Sequence, residues 1–209
     1  MRRAVSDRAK RAFDVSVAVL LLLVTLPIQL AAATAIRIRL GSPVLFRQAR
    51  PGLGQEPFEI IKFRTMGGDE PPPGVADDSS RITALGRWLR ATSIDELPTL
   101  WNIVRGDMSL VGPRPLMMQY LNLYSAEQAR RHDVRPGITG LAQVSGRNAL
   151  SWEDKFRLDV SYVDHHSFGG DLRIIIATAR SVARRDGISP DGEATMPEFF
   201  GTDRPEQLP

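Results

Sequence analysis

The stretch Val15–Ile36 reads VSVAVLLLLVTLPIQLAAATAI, and it decides the architecture. Its polar residues are Ser16, Thr25, Gln29 and Thr34, and it carries no charge. A helix of roughly 20 apolar residues is long enough to cross a bilayer. Arg2, Arg3, Arg8, Lys10 and Arg11 precede the run, and Arg37, Arg39, Arg47 and Arg50 follow it. An ordinary span has its basic excess on one side only. Basic residues on both flanks suggest that both ends lie on the cytoplasmic side. Pro27 sits inside the run, lacks an N–H, and has a ring that clashes with the carbonyl four residues back, so it kinks or breaks a helix. Charge and proline point independently to a re-entrant helix that enters one leaflet and returns. A plain span and a cleaved signal peptide compete with it. The basic start and Ala31-Ala32-Ala33 suit a signal peptide, whereas the run exceeds the usual apolar length of roughly 7–15 residues. On this segment alone the three readings stand level.

The remainder has the size of one ordinary domain within a chain of 209 residues. The expected organisation is a membrane helix over 1–40 and a membrane-associated catalytic domain over 41–209. Net charge is +3 and the pI about 9.7, which suits nucleic acid, anionic lipid or phosphorylated small molecules equally. The absence of cysteine excludes disulfides, thiolate metal sites and cysteine nucleophiles. Three histidines without HExxH spacing do not make a zinc site.

Val44–Arg47 and Phe58–Phe63 read as two strands around the turn Arg50–Gln55, giving a β-hairpin. Gly67–Ser80, with Pro71-Pro72-Pro73-Gly74 and Asp77-Asp78, reads as a connecting loop, with a lid as the alternative. Ile82–Thr92 and Leu172–Val182 have amphipathic helix spacing with basic margins, expected to lie in the headgroup layer. The fold class is therefore α/β, mainly helical with a small hairpin.

Ser93-Ile94-Asp95-Glu96-Leu97-Pro98 carries the chemistry. Adjacent carboxylates repel, so a fold shields them only with cations opposite. Candidates are Lys62, Arg64, Arg90, Arg105, Arg114, Arg135 and Arg147. Arg114 lies between Pro113 and Pro115, and Arg135 and Arg147 sit on turns that also limit their aim. A guanidinium fork matches phosphate oxygens. Ser93 and Glu96 also fit a capping box, with Pro98 in the first turn of a helix beginning nearby. That alternative does not explain Asp95. In the functional reading an ionised Asp95 attacks phosphorus and Glu96 holds Mg2+, with cations offsetting charge on the transferring group.

Lys10-Arg11-Ala12-Phe13-Asp14, Lys62-Phe63-Arg64-Thr65-Met66, the acid-pair motif, Gly106–Pro115, Arg135–Gly140 and Gly146-Arg147-Asn148 follow in an order and spacing that resemble the bacterial sugar transferases. These are the monotopic polyprenyl-phosphate phosphoglycosyl transferases, and the resemblance runs from about Lys10 to Arg185. It implies transfer of a sugar 1-phosphate from a UDP-sugar to undecaprenyl phosphate, with UMP released through a phosphosugar–aspartate intermediate. It implies Asp95 as nucleophile, and Glu96 as its acidic partner with a role in binding Mg2+, so that Asp95 and Glu96 form the metal site. Lys62 and Arg90 are implied on the phosphates, Pro113 and Arg114 at the nucleotide, Arg147 in the active site, and Pro27 at the re-entrant break, and Arg64 is expected among the substrate-binding residues. The tail Thr195–Gly201 resembles the subgroup acting on N-acetylated amino sugars such as diacetylbacillosamine. Leu141, where an aromatic is common, and Ser145, where Asn is common, depart from the pattern. The resemblance puts the re-entrant helix ahead of a span or a signal peptide. It places the chain at the cytoplasmic face of the bacterial inner membrane, in contact with lipid, at the first membrane step of glycan, capsule or exopolysaccharide assembly. Interfacial helices leave room for a homodimer. A membrane-anchored nucleic-acid binder lacks aromatic–basic interleaving, so no nucleic-acid partner is expected. A non-catalytic scaffold is opposed by the intact acids and arginines.

Overall fold

The computed structural model describes residues 2–68, 81–146, 150–184 and 198–201. Helix α1 (Arg2–Arg39) leads into an antiparallel hairpin of β1 (Leu45–Pro51) and β2 (Pro57–Phe63). Then come α2 (Ala84–Ala91), a 3-10 turn over Ile94–Thr99, the short α3 (Leu100–Arg105) and β3 (Ser109–Val111). Strand β4 (Gly137–Thr139) pairs in parallel with β3, after the four-residue α4 (Ala126–Ala129). Helices α5 (Leu141–Ser145), α6 (Trp152–His165) and α7 (Phe168–Arg184) complete the described fold. The hairpin stands where the alternating apolar residues place it. The β3–β4 pair lies in segments whose sequence reads as turns, because two three-residue strands are too short to show a period.

Helix α1 runs without interruption through Pro27, so the expected break is not an end of the helix. The proline has no N–H to give the Leu23 carbonyl. Polar side chains cluster around it: Thr25 Oγ1 donates to the Leu21 carbonyl at 2.6 Å, and Gln29 Nε2 donates to Thr25 Oγ1 at 2.9 Å. These bonds reach the Leu21 carbonyl and Thr25 rather than the Leu23 carbonyl that the proline leaves without its helical donor. By length and composition α1 is the one described helix that could cross a membrane.

Both halves of α1 pack on the same globular body. Ala18 is buried with Leu100, Ile103, Tyr162 and Ile174, while Ala32 and Ile36 are buried with Phe63 and Leu89. Between them Leu20, Leu23, Val24, Leu26 and Leu30 are exposed. The N-terminal end is fastened by the segment Lys10–Asp14. Lys10 Nζ pairs with Asp171 at 2.7 Å, Arg11 Nη2 donates to the Ile103 carbonyl at 2.6 Å, and buried Asp14 accepts from Ser109 Oγ at 2.6 Å. Arg64 fastens the other end, donating to the Leu40 and Ser42 carbonyls.

Ile94 joins the cluster around Ala32 and Ile36, and Leu97 joins the one around Ala18. The acid pair between Ile94 and Leu97 is thus pinned where the two halves of the apolar helix meet the body. Each such side chain, when fully buried, stabilises by about 1.5–3 kcal/mol.

The amphipathic helices are sorted more finely than their spacing shows. On α2, Leu89 is buried and Trp88 exposed. On α7 the inward face is Asp171, Ile174, Ile175 and Thr178, not the whole stripe from Leu172 to Val182. Phe168, Leu172, Ile176 and Val182 stay exposed, with the exposed Arg173, Arg180 and Arg184 nearby. Trp101 on α3 is exposed as well.

Candidate functional site

The acid pair sits in the first turn of the 3-10 segment, entered through Ser93 at φ 56°, ψ 17°. A left-handed serine is uncommon and turns the chain sharply. The capping box does not form: no side chain caps this turn, and Glu96 is engaged elsewhere. Thr99 and Asn102 hold the segment against β2. Thr99 Oγ1 donates to the Ile61 carbonyl at 2.8 Å, Ile61 N donates to Asn102 Oδ1 at 3.0 Å, and Asn102 Nδ2 donates to the Glu59 carbonyl at 2.7 Å. These bonds occupy the outer edge of β2 and fix the neighbouring Lys62 opposite Glu96. Gly106, at φ 104°, ends α3 in the left-handed region that favours glycine and sends the chain into β3.

Glu96 Oε1 accepts from Lys62 Nζ at 2.6 Å and from Arg114 Nη2 at 3.0 Å. Burial would raise the Glu96 carboxyl, yet Arg114 and Lys62 together hold it well below the usual carboxylate range. Burial lowers the Lys62 ammonium, and Glu96 opposes this. Arg114 is raised by Glu96 beside it.

Asp95 is in the opposite situation. It is 9% exposed and accepts no hydrogen bond among the described residues. Burial first, then the Glu96 charge, push its carboxyl up to about 6, against the pull of Lys62, Arg90 and Arg114. Arg90 is steadied by donating from Nε to Thr65 Oγ1 at 3.0 Å. Two adjacent acids are therefore split into a firmly ionised one held by cations and a basic, unpaired one. Such divergence marks division of chemical roles.

Glu96, Lys62 and Arg114 line a cleft of about 420 Å3, counting its open part, together with Arg50, Ile60, Thr99, Met108 and Leu116. Asp95 is beside this cleft rather than on its wall. The Pro113–Pro115 link carrying Arg114 is fixed by backbone. Gly112 N donates to the Thr139 carbonyl at 2.9 Å, and Gly137 N to the Pro113 carbonyl at 3.0 Å. A Cβ on Gly112 would lie 2.3 Å from the Arg135 carbonyl, so only glycine allows this approach.

Of the cations expected around the acids, Lys62, Arg90 and Arg114 gather there. Arg64 is turned to the end of α1. Arg105 faces Asp107 at 3.7 Å, and Arg135 donates to the Gly106 carbonyl at 2.9 Å. Arg147 lies outside the described residues, as do the Pro71–Gly74 segment and Thr195–Pro197 of the tail. The described end of that tail fills an aromatic cluster. Phe199 is buried with ring centroids 5.0 Å from Phe156 and 5.4 Å from Trp152, which gives it a packing role.

Sequence reasoning missed Arg131 and Asp159. Both are buried and paired at 2.7 Å, and Arg131 Nη2 also donates to the Arg114 carbonyl at 2.8 Å. Their 28-residue separation leaves no local signal. Arg50 and Asn102 were missed too. An Asn within Leu100–Val104, an otherwise apolar run, is the one clue to a buried hydrogen-bonding role.

Among the described residues, no group of three or more acidic or histidine side chains forms a metal cage. Mg2+ is commonly held by one or two carboxylates plus substrate phosphates, so no cage is needed. Among the described residues the Asp95 oxygens accept no hydrogen bond and both bonds to Glu96 fall on Oε1, which leaves oxygens suited to that ion.

A sequence profile described as bacterial sugar transferase matches residues 5–185. The chain is 51% identical over 194 residues to an uncharacterised sugar transferase, EpsL, of Bacillus subtilis (strain 168), covering 92% of this chain and 96% of that one. It is 44% identical over 195 residues to a UDP-glucose:undecaprenyl-phosphate glucose-1-phosphate transferase of Caulobacter vibrioides, covering 88% of this chain and 73% of the relative. An undecaprenyl-phosphate galactose phosphotransferase of Salmonella typhimurium is 35% identical over 196 residues, covering 85% of this chain and 41% of its own length.

Proposed function

Because this chain belongs to the bacterial sugar transferase family, we propose that it transfers a sugar 1-phosphate from a UDP-sugar to undecaprenyl phosphate, beginning the membrane stage of exopolysaccharide or related glycan assembly. The observation that carries the reading is the split acid pair: Asp95 basic and unpaired, Glu96 held by Lys62 and Arg114, pinned against an apolar helix. The ionised Asp95 oxygen attacks the sugar-bearing phosphorus. The bond from that phosphorus to the UMP oxygen breaks, and UMP leaves with the electron pair. An oxygen of undecaprenyl phosphate then attacks the same phosphorus and displaces Asp95, giving the lipid-linked diphosphosugar and a free carboxylate. Lys62, Arg90 and Arg114 offset the charge gathered at phosphorus. Mg2+ would be held by Glu96 with Asp95, where it would neutralise part of the donor's diphosphate charge. The cited relatives' names speak of glucose and galactose. The acetylated amino-sugar preference therefore rests on the tail resemblance alone, and a donor panel decides it. UMP release by detergent-purified protein with Mg2+, undecaprenyl phosphate and a panel of UDP-sugars tests the reaction. Absence of UMP across a panel that includes UDP-glucose and UDP-galactose would sink it.

A nucleophilic Asp95 must be ionised, so kcat/KM is expected to rise with pH through about 6 in the free enzyme. Glu96→Gln removes the like charge that raises Asp95, and the acid limb of its residual activity should move to lower pH. An unmoved limb would assign the titration to another group.

The helix α1 is read as re-entrant, with both ends at the cytoplasmic face. Its support is the attachment of both halves to one body, the exposed apolar middle, and Pro27. The exposed Trp88 and Trp101, and the apolar edge of α7 beside Arg173 and Arg180, suit the headgroup layer. A chain without native cysteine makes the topology directly testable. Arg8→Cys and Arg39→Cys should both react with an impermeant maleimide from the cytoplasmic side only. Labelling of the two from opposite sides would establish a span.

A further inference from the structure

The three cations on the cleft wall are not equally provided for. Lys62 and Arg114 both spend a donor on Glu96. Arg50, near the end of β1, donates from Nη2 to the neutral Gln48 Oε1 at 2.6 Å, and its buried Nε finds no acceptor among the described residues. Among the described residues no acid pairs with Arg50. Burial, together with the like charge of Arg114, pulls its guanidinium down to about 10. A partly buried cation next to a second cation is unfavourable unless an anion joins them. Nη1 likewise makes no hydrogen bond among the described residues, so the guanidinium keeps charge-assisted donors of the kind that suit phosphate oxygens.

We propose that Arg50 binds a substrate phosphate in this cleft, adding its positive charge to that of Lys62 and Arg114, part of which Glu96 offsets. The identity of the substrate rests on the transferase reading above; the phosphate subsite rests on the cleft itself. Two substrates could supply the group, the nucleotide and the prenyl phosphate, and they share its chemistry.

Purified protein in detergent is titrated with UMP and, separately, with farnesyl phosphate, and the thermal midpoint is followed. Wild-type protein should be stabilised by at least one probe. Arg50→Gln should weaken that probe roughly tenfold to a hundredfold, the scale for a lost charge-assisted bond. Arg50→Lys should fall between, because it keeps the charge and loses the fork. Arg47→Gln, on the same strand but exposed and paired with Glu59, should bind as wild type. Loss confined to UMP assigns the nucleotide phosphate, and loss confined to farnesyl phosphate assigns the lipid. The inference is overturned if wild-type protein binds neither probe, or if Arg50→Gln binds both as tightly as wild type. Where Arg50→Gln does not fold, Arg50→Lys carries the comparison, and unchanged affinity for both probes overturns it equally. The measurement needs no turnover. Intact UMP binding without UMP release would therefore sink the transfer reaction and leave this subsite standing.

Discussion

Asp95→Asn is expected to lower UMP release by at least about 10^3-fold while raising the stability of the protein. The first effect follows from the nucleophilic role proposed for Asp95, which an amide of nearly the same shape cannot fill. The second follows from burial. In the folded chain Asp95 keeps its proton up to about pH 6, whereas the ordinary value is 3.8. Between these values the folded state binds more protons than the unfolded state. The sign is then fixed: the contribution is fully present below about 3.8, and stability is lost as pH rises through about 6. At neutral pH the ionised side chain costs about 1–3 kcal/mol, which the neutral amide removes. The measurement is a paired one, UMP release and thermal midpoint at pH 7.5. Lost activity with a raised midpoint identifies a strained functional carboxylate. A lowered midpoint would show that Asp95 holds the fold together, and the activity loss would then say nothing about its role. Retained activity would remove Asp95 from the mechanism. Trapping a phosphosugar adduct on wild type, absent from Asp95→Asn, separates a covalent intermediate from direct transfer.

The largest loss of stability is expected for Arg131→Ala, at about 3–5 kcal/mol. Arg131 is almost completely buried and makes four contacts of consequence. Its Nε and Nη2 donate to Asp159 at 3.1 and 2.7 Å, Nη1 donates to the Tyr124 hydroxyl at 3.0 Å, and Nη2 donates to the Arg114 carbonyl at 2.8 Å. Its guanidinium also stands 5.4 Å from the Phe156 ring centre. Burial raises the Asp159 carboxyl even with Arg131 beside it. Without Arg131 a bare carboxylate remains in an aromatic cluster, and it rises further. For a chain of this length the midpoint should fall by roughly 6–20 °C. Arg131→Met/Asp159→Leu should recover much of that stability, since well-packed apolar residues can replace a buried ion pair. What the double variant should not recover is activity, because the Arg114 carbonyl loses its donor and the guanidinium opposite Glu96 loses its aim. Full activity in the stable double variant would confine the pair to a structural role.

Local features were legible wherever the sequence carries a period or an unusual residue. The hairpin, α2 and α7 follow from alternation and helical spacing. The acid pair and the fixed turn around Arg114 follow from adjacency and prolines. Directions within those features were less visible. The α7 stripe holds apolar residues on two adjoining faces, and spacing alone does not say which one the core takes. Pro27 announces a disturbance in α1, but the helix runs through it without ending.

The chain by itself determined that an uncharged apolar helix with basic flanks is joined to a mainly helical body bearing two adjacent carboxylates and many guanidiniums. Tertiary structure alone decided which carboxylate is free. Glu96 is claimed by Lys62, 34 residues earlier, and Arg114, 18 residues later, while Asp95 is buried without a donor among the described residues. It also turned Arg64 and Arg135 to backbone carbonyls and brought Arg50 and Arg131 to the cleft and its support. The physical reason is one of range. Periodicity, charge and proline act on neighbours in the chain and can be read along it. The pKa of a carboxylate is set by burial and by charges within a few ångströms, and those neighbours are assembled only when α1, β2, the acid-bearing turn and the Pro113–Pro115 link pack together.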